Sequence, residues 1–220
     1  MKKIIIFGNG EFASMAKYYF KNREVAFFCV DDQFCKESFF ENVPLISQTE
    51  LLKKDKEEYD LFVSLSYKNM NKVRAEKYLE LKNKGFEFTS FIHDKSYVSK
   101  DSLIGENCFI LEGQTIQRHV KIKNNVFIWS GNHIGHNSVI KEHSYISSNV
   151  VVSGNCEVGK NCFFGVNSSV KDFVKIGDEC MIGMGANVIK DLENGSVIIA
   201  EKSQIFKSNE KISKLIKDKI

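Results

Sequence analysis

Two histidines stand three positions apart, beside the chain's single tryptophan, in the segment IWSGNHIGHNSVI. Imidazole is the side chain whose ordinary pKa lets it take up a proton near pH 7, so His133 and His136 are candidate general bases. The tryptophan, Trp129, offers a wide apolar surface to a substrate or to a second subunit. The segment predicts proton-transfer chemistry if the fold leaves the two imidazoles on its surface.

A second candidate group lies at the start of the chain, in the segment MKKIIIFGNGEFA. Gly8, Gly10 and Ala13 fit a G-x-G-x-x-A turn that ends a strand and opens a helix, where backbone N–H groups and the helix dipole favour a phosphate. Asp31 closes the next apolar run, where a carboxylate can meet a ribose hydroxyl. The same glycines also suit a turn needed only for tight packing of strand against helix, and the motif alone does not separate the two readings.

The segment with the histidines belongs to a repeat of six residues. Every sixth residue from Ile92 to Val188 is large and apolar, and the position four after it is small in all but two cases. This pattern is typical of a parallel β-helix of hexapeptides with three short strands per coil, in which residues eighteen apart stack. The two exceptions, Gln114 and Asn132, are eighteen apart and are predicted to stack as a buried polar pair.

The register of the repeat also sorts the histidines and cysteines. His133, His136 and His143 miss both inward positions, which excludes a histidine in the core of the β-helix. Because the chain has no Cys-x-x-Cys pair, a zinc site is not expected. Four of the six cysteines fall on the small inward position and are predicted to fill the core as free thiols: Cys108, Cys156, Cys162 and Cys180.

The first ninety residues follow a different pattern. Apolar runs alternate with helical segments, which predicts a small parallel sheet flanked by helices. Three or four strands suffice for one mononucleotide-binding half, and a dinucleotide such as NAD needs two such halves. We therefore predict three parts: a Rossmann-like α/β half-fold that binds a nucleotide sugar (1–90), an all-β parallel β-helix (91–190) and a C-terminal tail (191–220).

Composition limits the classes of partner. The chain has 220 residues, 43% of them hydrophobic, and a net charge of +3. No block of like charge precedes the C-terminal segment KSNEKISKLIKDKI, so nucleic acid is not an expected partner. We expect that segment to be solvated or to form a short amphipathic helix. The N-terminal apolar run is too short for a signal peptide or a membrane span, which predicts a cytoplasmic protein.

A resemblance to a known family rests on the order of the repeat and the segments before it. The chain resembles the NeuD/PglD-like sugar acyltransferases, a branch of the left-handed β-helix hexapeptide transferases. The likeness covers nearly the whole chain, through the segments IIIFGNGEFA, FFCVDD, VSLSYKNMNKVRAEKY, FIHDKSYVS, IGHNSVI and KNCFFGVNSSV. It implies a homotrimer in which acetyl-CoA lies along the β-helix between subunits and acylates a nucleotide-linked amino sugar for a bacterial surface glycan such as an O-antigen.

The resemblance also assigns residues. His136 matches the family's catalytic histidine, while Asn137 replaces the acidic residue expected after it and Tyr145 replaces a second histidine. We group His133 and Asn137 with His136 as catalytic residues, and Tyr145 with the cofactor-binding residues. The family's C-terminal glycine-proline-alanine signature is missing from VIIAEKSQIF. The remaining matches are nucleotide-binding positions (Gly8, Asn9, Gly10, Asp31, Asp32) and cofactor-cleft positions (Gly165, Asn167, Gly183, Gly185, Ala186).

The chemistry expected from this resemblance is direct transfer. The neutral amine of the sugar attacks the thioester carbonyl while His136 takes its proton, and no covalent intermediate is required. Three other hypotheses remain open at this point. They are an O-acetyltransferase acting on a sialic-acid-type sugar, a non-catalytic β-helix that only binds nucleotide sugars, and an NAD-linked enzyme.

Overall fold

The computed structural model describes residues 2–202 together with Lys207 and Lys211. Most of the C-terminal segment for which a solvated tail or a short helix was expected lies outside these residues. Two portions follow one another along the chain. An α/β portion precedes Phe91, and a parallel β-helix starts there.

The α/β portion is built on apolar runs that become buried strands. The elements are β1 (Lys3–Phe7), α1 (Glu11–Tyr19), β2 (Val25–Val30), a 3-10 turn (Asp32–Phe34), β3 (Phe39–Phe40), β4 (Val43–Ser47), α2 (Gln48–Leu51), β5 (Tyr59–Val63) and α3 (Lys72–Asn83). The sheet has the order β3-β4-β2-β1-β5, in which β4, β2, β1 and β5 are parallel and β3 joins antiparallel to β4. The small parallel sheet expected here is present, and the β3–β4 hairpin and the short α2 are additions.

The β-helix follows the hexapeptide register. Its strands are β6 (Phe91–Ile92), β7 (Tyr97–Val98), β8 (Leu103–Ile104), β9 (Phe109–Ile110), β10 (Thr115–Ile116), β11 (Lys121–Ile122), β12 (Phe127–Ile128), β13 (His133–Ile134), β14 (Val139–Ile140), β15 (Tyr145–Ile146), β16 (Val151–Val152), β17 (Glu157–Val158), β18 (Phe163–Phe164), β19 (Ser169–Val170), β20 (Lys175–Ile176), β21 (Met181–Ile182), β22 (Asn187–Val188) and β23 (Val197–Ile198). From β6 to β22 each strand has two residues and ends on an apolar residue of the repeat.

These strands form three parallel sheets. The domain-facing sheet contains β6, β9, β12, β15, β18, β21 and β23, the histidine sheet contains β7, β10, β13, β16, β19 and β22, and the third sheet contains β8, β11, β14, β17 and β20. His133 pairs with Thr115 in one neighbouring coil and with Val151 in the other, so each coil takes eighteen residues as predicted. A chain that turns between sheets also makes three corners, which carry the candidate site.

We name the corners by what they hold. The histidine corner, between the histidine sheet and the third sheet, includes 117–120, 135–138 and 153–156. The docking corner, between the third sheet and the domain-facing sheet, includes 105–108, 123–126 and 141–144. The glycine corner, between the domain-facing sheet and the histidine sheet, includes 147–150, 165–168 and 183–186.

The interior of the β-helix confirms the inward positions. Cys108, Cys156, Cys162 and Cys180 are all buried in its core. Gln114 and Asn132 are buried in successive coils, where the Gln114 Oε1 atom accepts the backbone N–H of Asn132 at 3.1 Å. The Gln114 amide also donates to the carbonyl of Trp129 at 2.6 Å. The buried amides are thus satisfied largely by backbone groups, which removes the cost of burying them.

An aromatic column joins the two portions. The first residues of successive strands in the domain-facing sheet point outward and are aromatic: Phe91, Phe109, Phe127, Tyr145 and Phe163. They form one hydrophobic cluster with residues of the α/β portion such as Phe20 and Phe62. The rings of Phe62 and Phe127 stack with centroids 5.8 Å apart. This cluster fixes the α/β portion against one face of the β-helix.

A buried arginine completes this junction at the docking corner. Arg74, on α3, is fully buried and lies over the Phe127 ring at 4.3 Å. It donates to the His143 carbonyl at 2.9 Å and to the amide oxygens of Asn71 and Asn125 at 3.2 Å. Burial lowers the pKa of Arg74 to about 9, which still leaves the guanidinium charged at neutral pH. A positive charge is therefore held by neutral acceptors between the two portions.

His143 lies beneath this arginine. It is only 8% exposed, although the register places it outside the core of the β-helix. The register correctly predicted that His143 lies outside that core, but the sequence did not show that α3 would cover the docking corner. The Nδ1 atom lies 2.9 Å from the Asn125 amide nitrogen, which can only donate, so the imidazole is neutral there. Burial, reinforced by the charge of Arg74, lowers the pKa of His143 to about 4.

Candidate active site

His136 lies on the histidine corner with its side chain exposed. The chain turns directly after it because Asn137 adopts a left-handed conformation with φ of 59°, which asparagine tolerates better than most residues. The backbone N–H of His136 donates to the Gln117 Oε1 atom at 2.9 Å, and the ring Nδ1 atom lies 3.2 Å from the same oxygen. One amide from the neighbouring coil thus contacts both the backbone and the ring of the candidate base.

The next coil supports the other side of the imidazole. A Cβ atom added to Gly154 would lie 2.6 Å from Cε1 and 2.9 Å from Nε2 of His136. The ring therefore occupies the space that a side chain would take at Gly154. The backbone N–H of Gly154 donates to Asp172 at 2.8 Å, which anchors this part of the corner. The result is an exposed imidazole whose position is set by two neighbouring coils.

The other two predicted catalytic residues lie close in the chain but have structural explanations. His133 is half-buried on the outer face of the histidine sheet. Asn137 is the turn residue of its hexapeptide, and its amide nitrogen donates to Asn155 at 3.0 Å in the next coil. Repeat geometry alone accounts for an asparagine at this place. A catalytic role for either residue remains a prediction.

An apolar cleft of about 500 Å³ opens between α1, the loop after β5 and the β-helix. The ring of Phe12 meets Trp129 edge to face at 5.8 Å, and Tyr145 stacks on Phe163 at 5.5 Å. Tyr145 is 4% exposed, and burial raises the pKa of its phenol, so it is neutral. Trp129 thus forms a wall of this cleft. Other lining residues include Tyr67, Ser147, Ser148, Val166, Met181 and Met184.

The predicted cofactor residues lie along the glycine corner. Gly165 and Gly183 line the cleft, and a Cβ atom on Gly165 would lie 2.5 Å from the backbone nitrogen of Met184. Asn167 and Gly185 are left-handed turn residues with φ of 58° and 69°. Ala186 is buried in the core of the β-helix, which leaves only its backbone for contact with a cofactor.

The glycine turn lies at the carboxyl ends of the parallel strands, as its motif predicts. Gly8 has φ of 134°, and a Cβ atom there would lie 3.0 Å from the Ser64 carbonyl oxygen. Gly10 precedes α1, whose first turn receives no side-chain cap, and the space above its Cα atom is open. Asn9, between them, is exposed. The N-terminus of α1 is therefore open to an anionic group.

The two carboxylates among the predicted nucleotide-binding residues already have protein partners. Asp31 pairs with Lys77 at 2.5 Å. Asp32 accepts from the Thr49 hydroxyl at 2.5 Å and from its backbone N–H at 2.9 Å, and these hydrogen bonds lower the pKa of Asp32. A ribose at this edge would have to share Asp31 with the lysine.

The structure brings some of these groups together and keeps others apart. Phe12 follows the glycine turn within α1 and lines the apolar cleft, so the predicted nucleotide and cofactor positions adjoin. His136 is not part of this cleft. It lies across the histidine sheet from the glycine corner, on the opposite edge. Within the described residues, no group of three or more His, Cys, Asp or Glu side chains is arranged to hold a metal ion.

The comparisons with known proteins agree with this architecture. Residues 119–154 and 155–190 match the family described as bacterial transferase hexapeptide (six repeats). A search of curated proteins by sequence gave no match. None of the described helices combines the length and the apolar character needed to cross a membrane.

Solved structures share the fold of both portions. The acetyltransferase domain of PglB from Neisseria gonorrhoeae is 19% identical with a TM-score of 0.79, over 90% of this chain and 96% of that one. PerB from Caulobacter crescentus is 22% identical with a TM-score of 0.80, over 90% and 93% of the two chains. WeeI from Acinetobacter baumannii is 17% identical with a TM-score of 0.57, over 91% and 97%. The resemblance to sugar acyltransferases of the hexapeptide class is confirmed at the level of the fold.

Sequence reasoning missed the residues that shape the surroundings of the site. Phe12 and Tyr67 were not singled out, although both are aromatic and follow strands of the α/β portion. The aromatic column of the domain-facing sheet repeats every eighteen residues and was available as a signal. Gln117 and Gly154 carry no local signal, because only the stacking of coils places them beside His136.

Proposed function

We propose that this protein is an acetyl-CoA-dependent N-acetyltransferase that acts on a nucleotide-linked amino-deoxy sugar. The observation that carries the proposal is the exposed imidazole of His136, which is held between Gln117 and Gly154 on the outside of a hexapeptide coil. A rigid surface imidazole of this kind suits a general base. The α/β portion supplies the place for the nucleotide, and the β-helix supplies the place for the acyl donor.

Acetyl transfer to an amine requires one base and one hydrogen-bond donor from the protein. Acetyl-CoA, when bound, supplies an activated thioester. The amine of the sugar attacks the thioester carbonyl, so that the C–N bond forms and the C–S bond to CoA breaks. His136 accepts the proton that the amine loses and passes it to the departing CoA thiolate. A backbone N–H of a neighbouring corner is the donor for the carbonyl oxygen. A cysteine nucleophile is disfavoured because the thiols of the repeat face inward, and burial raises the pKa of Cys162 to about 12.

Structural neighbours support the choice of substrates. A structure of the Neisseria acetyltransferase domain contains acetyl coenzyme A, and a structure of Caulobacter PerB contains CoA and GDP-perosamine. A further structure describes the Caulobacter protein as perosamine N-acetyltransferase. We propose that the acyl donor of the present protein lies along the glycine corner, near Gly165, Asn167, Gly183, Gly185 and Ala186, with Tyr145 at the cleft wall.

The nucleotide end is assigned to the glycine turn. A phosphate placed over Gly8, Asn9 and Gly10 would face the open N-terminus of α1. Asp31 and Asp32 would then lie near the ribose, at the end of β2. A sugar that leaves this edge passes Phe12 and enters the apolar cleft, whose aromatic walls suit the apolar faces of a deoxy sugar.

The separation of His136 from the cleft supports an active site shared between subunits. We propose a homotrimer of left-handed β-helices, in which the histidine corner of one subunit faces the glycine corner of its neighbour. The proposed division is a Rossmann-like domain at 1–90, the acyltransferase β-helix at 91–190 and a tail at 191–220, whose first part adds β23 to the domain-facing sheet. We place the enzyme in the cytoplasm, in the biosynthesis of a bacterial surface glycan.

The test is acyl transfer followed by mass spectrometry. The protein is incubated with acetyl-CoA and a panel of UDP-, dTDP- and GDP-linked 3-amino and 4-amino sugars. We expect one amino sugar to gain the mass of an acetyl group, and His136→Ala to abolish the gain while sedimentation shows an unchanged assembly. Acetylation of a hydroxyl group would instead support O-transfer. A panel without any mass gain would contradict the proposal.

A further inference from the structure

The contacts between Gln117 and His136 indicate which nitrogen of the imidazole carries the hydrogen. The backbone N–H of His136 donates to Gln117 at 2.9 Å. A backbone N–H can only donate, so the Gln117 atom that faces it must be the amide oxygen and not the amide nitrogen. The backbone N–H of His136 therefore fixes the orientation of the Gln117 amide.

The same oxygen lies 3.2 Å from the Nδ1 atom of the ring. An amide oxygen accepts and does not donate, so Nδ1 must carry a hydrogen for this contact to be favourable. In a neutral imidazole the other nitrogen, Nε2, then has a free lone pair. We infer that Gln117 is a positioning residue, whose amide oxygen fixes His136 in the tautomer that leaves Nε2 as the basic nitrogen.

The surroundings keep Gln117 in place. Its backbone N–H donates to the Ile134 carbonyl at 3.0 Å, and its own carbonyl accepts from the Ser102 hydroxyl at 2.6 Å. Both hydrogen bonds join neighbouring coils, so the backbone that carries the Gln117 side chain is held in place. Gly154 limits movement of the ring on the other side. The imidazole thus has a single hydrogen-bonded arrangement with a defined donor nitrogen.

This arrangement differs from a histidine paired with a carboxylate. Among the histidines of the described residues, an ion pair with an acidic side chain occurs only for His93, with Asp94 at 2.9 Å. An amide oxygen sets the tautomer as a carboxylate does, but it adds no negative charge to stabilise the imidazolium. Gln117 thus supplies orientation without the increase in basicity.

The experiment combines NMR of the protein with steady-state kinetics, because the catalytic meaning of the inference rests on the proposed function while the hydrogen bond does not. Nitrogen-15 spectra of the histidine rings distinguish the two neutral tautomers. We expect the Nδ1–H form at His136 in the wild type, its retention in Gln117→Glu and its loss in Gln117→Leu, which has a similar shape but no acceptor. His119→Asn, on the same corner one coil away, is the control and should leave the His136 signals unchanged.

Kinetics then tests the role in the reaction. Loss of one orienting hydrogen bond should lower kcat of Gln117→Leu by about five- to tenfold with little change in KM. Gln117→Glu should restore kcat and move the acidic limb of the pH profile upward by about one unit, because a carboxylate stabilises the imidazolium. An Nε2–H tautomer in the wild type, or a tautomer that Gln117→Leu leaves unchanged, would overturn the inference. The expected tautomers in a protein that transfers no acyl group would instead refute the proposed function.

Discussion

His136 and His143 stand seven positions apart, on two corners of the same stretch of coil, and have opposite environments. His136 is exposed and presents its Nδ1 atom to an amide oxygen. His143 is 8% exposed and accepts from an amide nitrogen, with its pKa lowered to about 4 by burial. The hexapeptide repeat makes equivalent corners, and what packs outside each corner decides whether its histidine is exposed or buried.

The difference arises from one helix. Helix α3 covers the docking corner and inserts Arg74 over His143, whereas the histidine corner has no such cover in the described part of the chain. A neighbouring cation disfavours a second positive charge, so His143 serves as a neutral structural group. His136 remains exposed. Four experiments test this difference between the two corners.

The largest effect is expected when each of the two histidines is replaced in a separate variant. His136→Ala should reduce kcat by about a thousandfold, because a positioned general base contributes on this scale. His143→Asn should keep kcat close to the wild type, since asparagine also occupies the equivalent turns at Asn107, Asn125 and Asn161. Steady-state acetyl transfer measures both variants. Equal losses in the two would show that the corners do not differ in chemistry.

Removal of the covering arginine should destabilise the docking corner. Arg74→Met leaves buried carbonyl and amide oxygens without their donor, and we expect the free energy of unfolding to fall by about 3 kcal/mol. The matched control is Lys72→Ala on the same helix, which removes an exposed ion pair with Glu179 at 2.8 Å and should cost less than about 1 kcal/mol. Urea denaturation at fixed protein concentration gives both values. Similar losses in the two variants would contradict a special role for Arg74.

The buried histidine should make stability depend on pH. The folded pKa of His143 is about 4, below its ordinary value of 6.5, so as the pH falls the unfolded chain takes up a proton first. Burial of neutral His143 therefore lowers stability only below about pH 6.5. The free energy of unfolding should decrease by about 2 kcal/mol between pH 7 and pH 5. His143→Asn should remove this component from the pH profile of urea denaturation. A profile unchanged by the substitution would show that folding does not shift the pKa of His143.

The smallest effect is expected at Gly154. A methyl group in Gly154→Ala would meet the His136 ring, which must shift, and we expect kcat to fall by about tenfold with little loss of stability. The double variant with His136→Ala should be no slower than His136→Ala alone, since the ring is then absent. Additive losses in kcat would indicate that Gly154 acts on catalysis by another route.

Much of the fold could be predicted because the hexapeptide pattern is a local requirement. Each six-residue unit must turn and bury one large and one small residue, so Ile134 and Cys156 could be placed inward without knowledge of distant contacts. The glycine turn at Gly8 could also be placed at the end of a strand. The prediction failed to show that His143 would be covered and that Val43–Ser47 would form a strand, since both depend on partners far away in the sequence.

Only part of the candidate site could be predicted from the sequence. His136 could be selected because the register placed it outside the core and because its segment resembles a family motif. The support of its ring by Gln117 and Gly154 was not visible, since these residues are 19 positions before and 18 positions after it and meet it only when coils stack. The walls of the cleft were likewise hidden, because Phe12 and Trp129 come from different portions of the chain.

Local sequence patterns specify the repeat, its register and the residues that face the interior of the β-helix, because these follow from steric requirements within each hexapeptide. Packing between distant parts of the chain leaves the histidine corner exposed and covers the docking corner. Arg74 reaches the carbonyl of His143 across 69 positions of sequence, and no local pattern specifies such a contact. The environment of a side chain depends on what packs against it from elsewhere, so the same residue type became a buried neutral group at His143 and an exposed candidate base at His136.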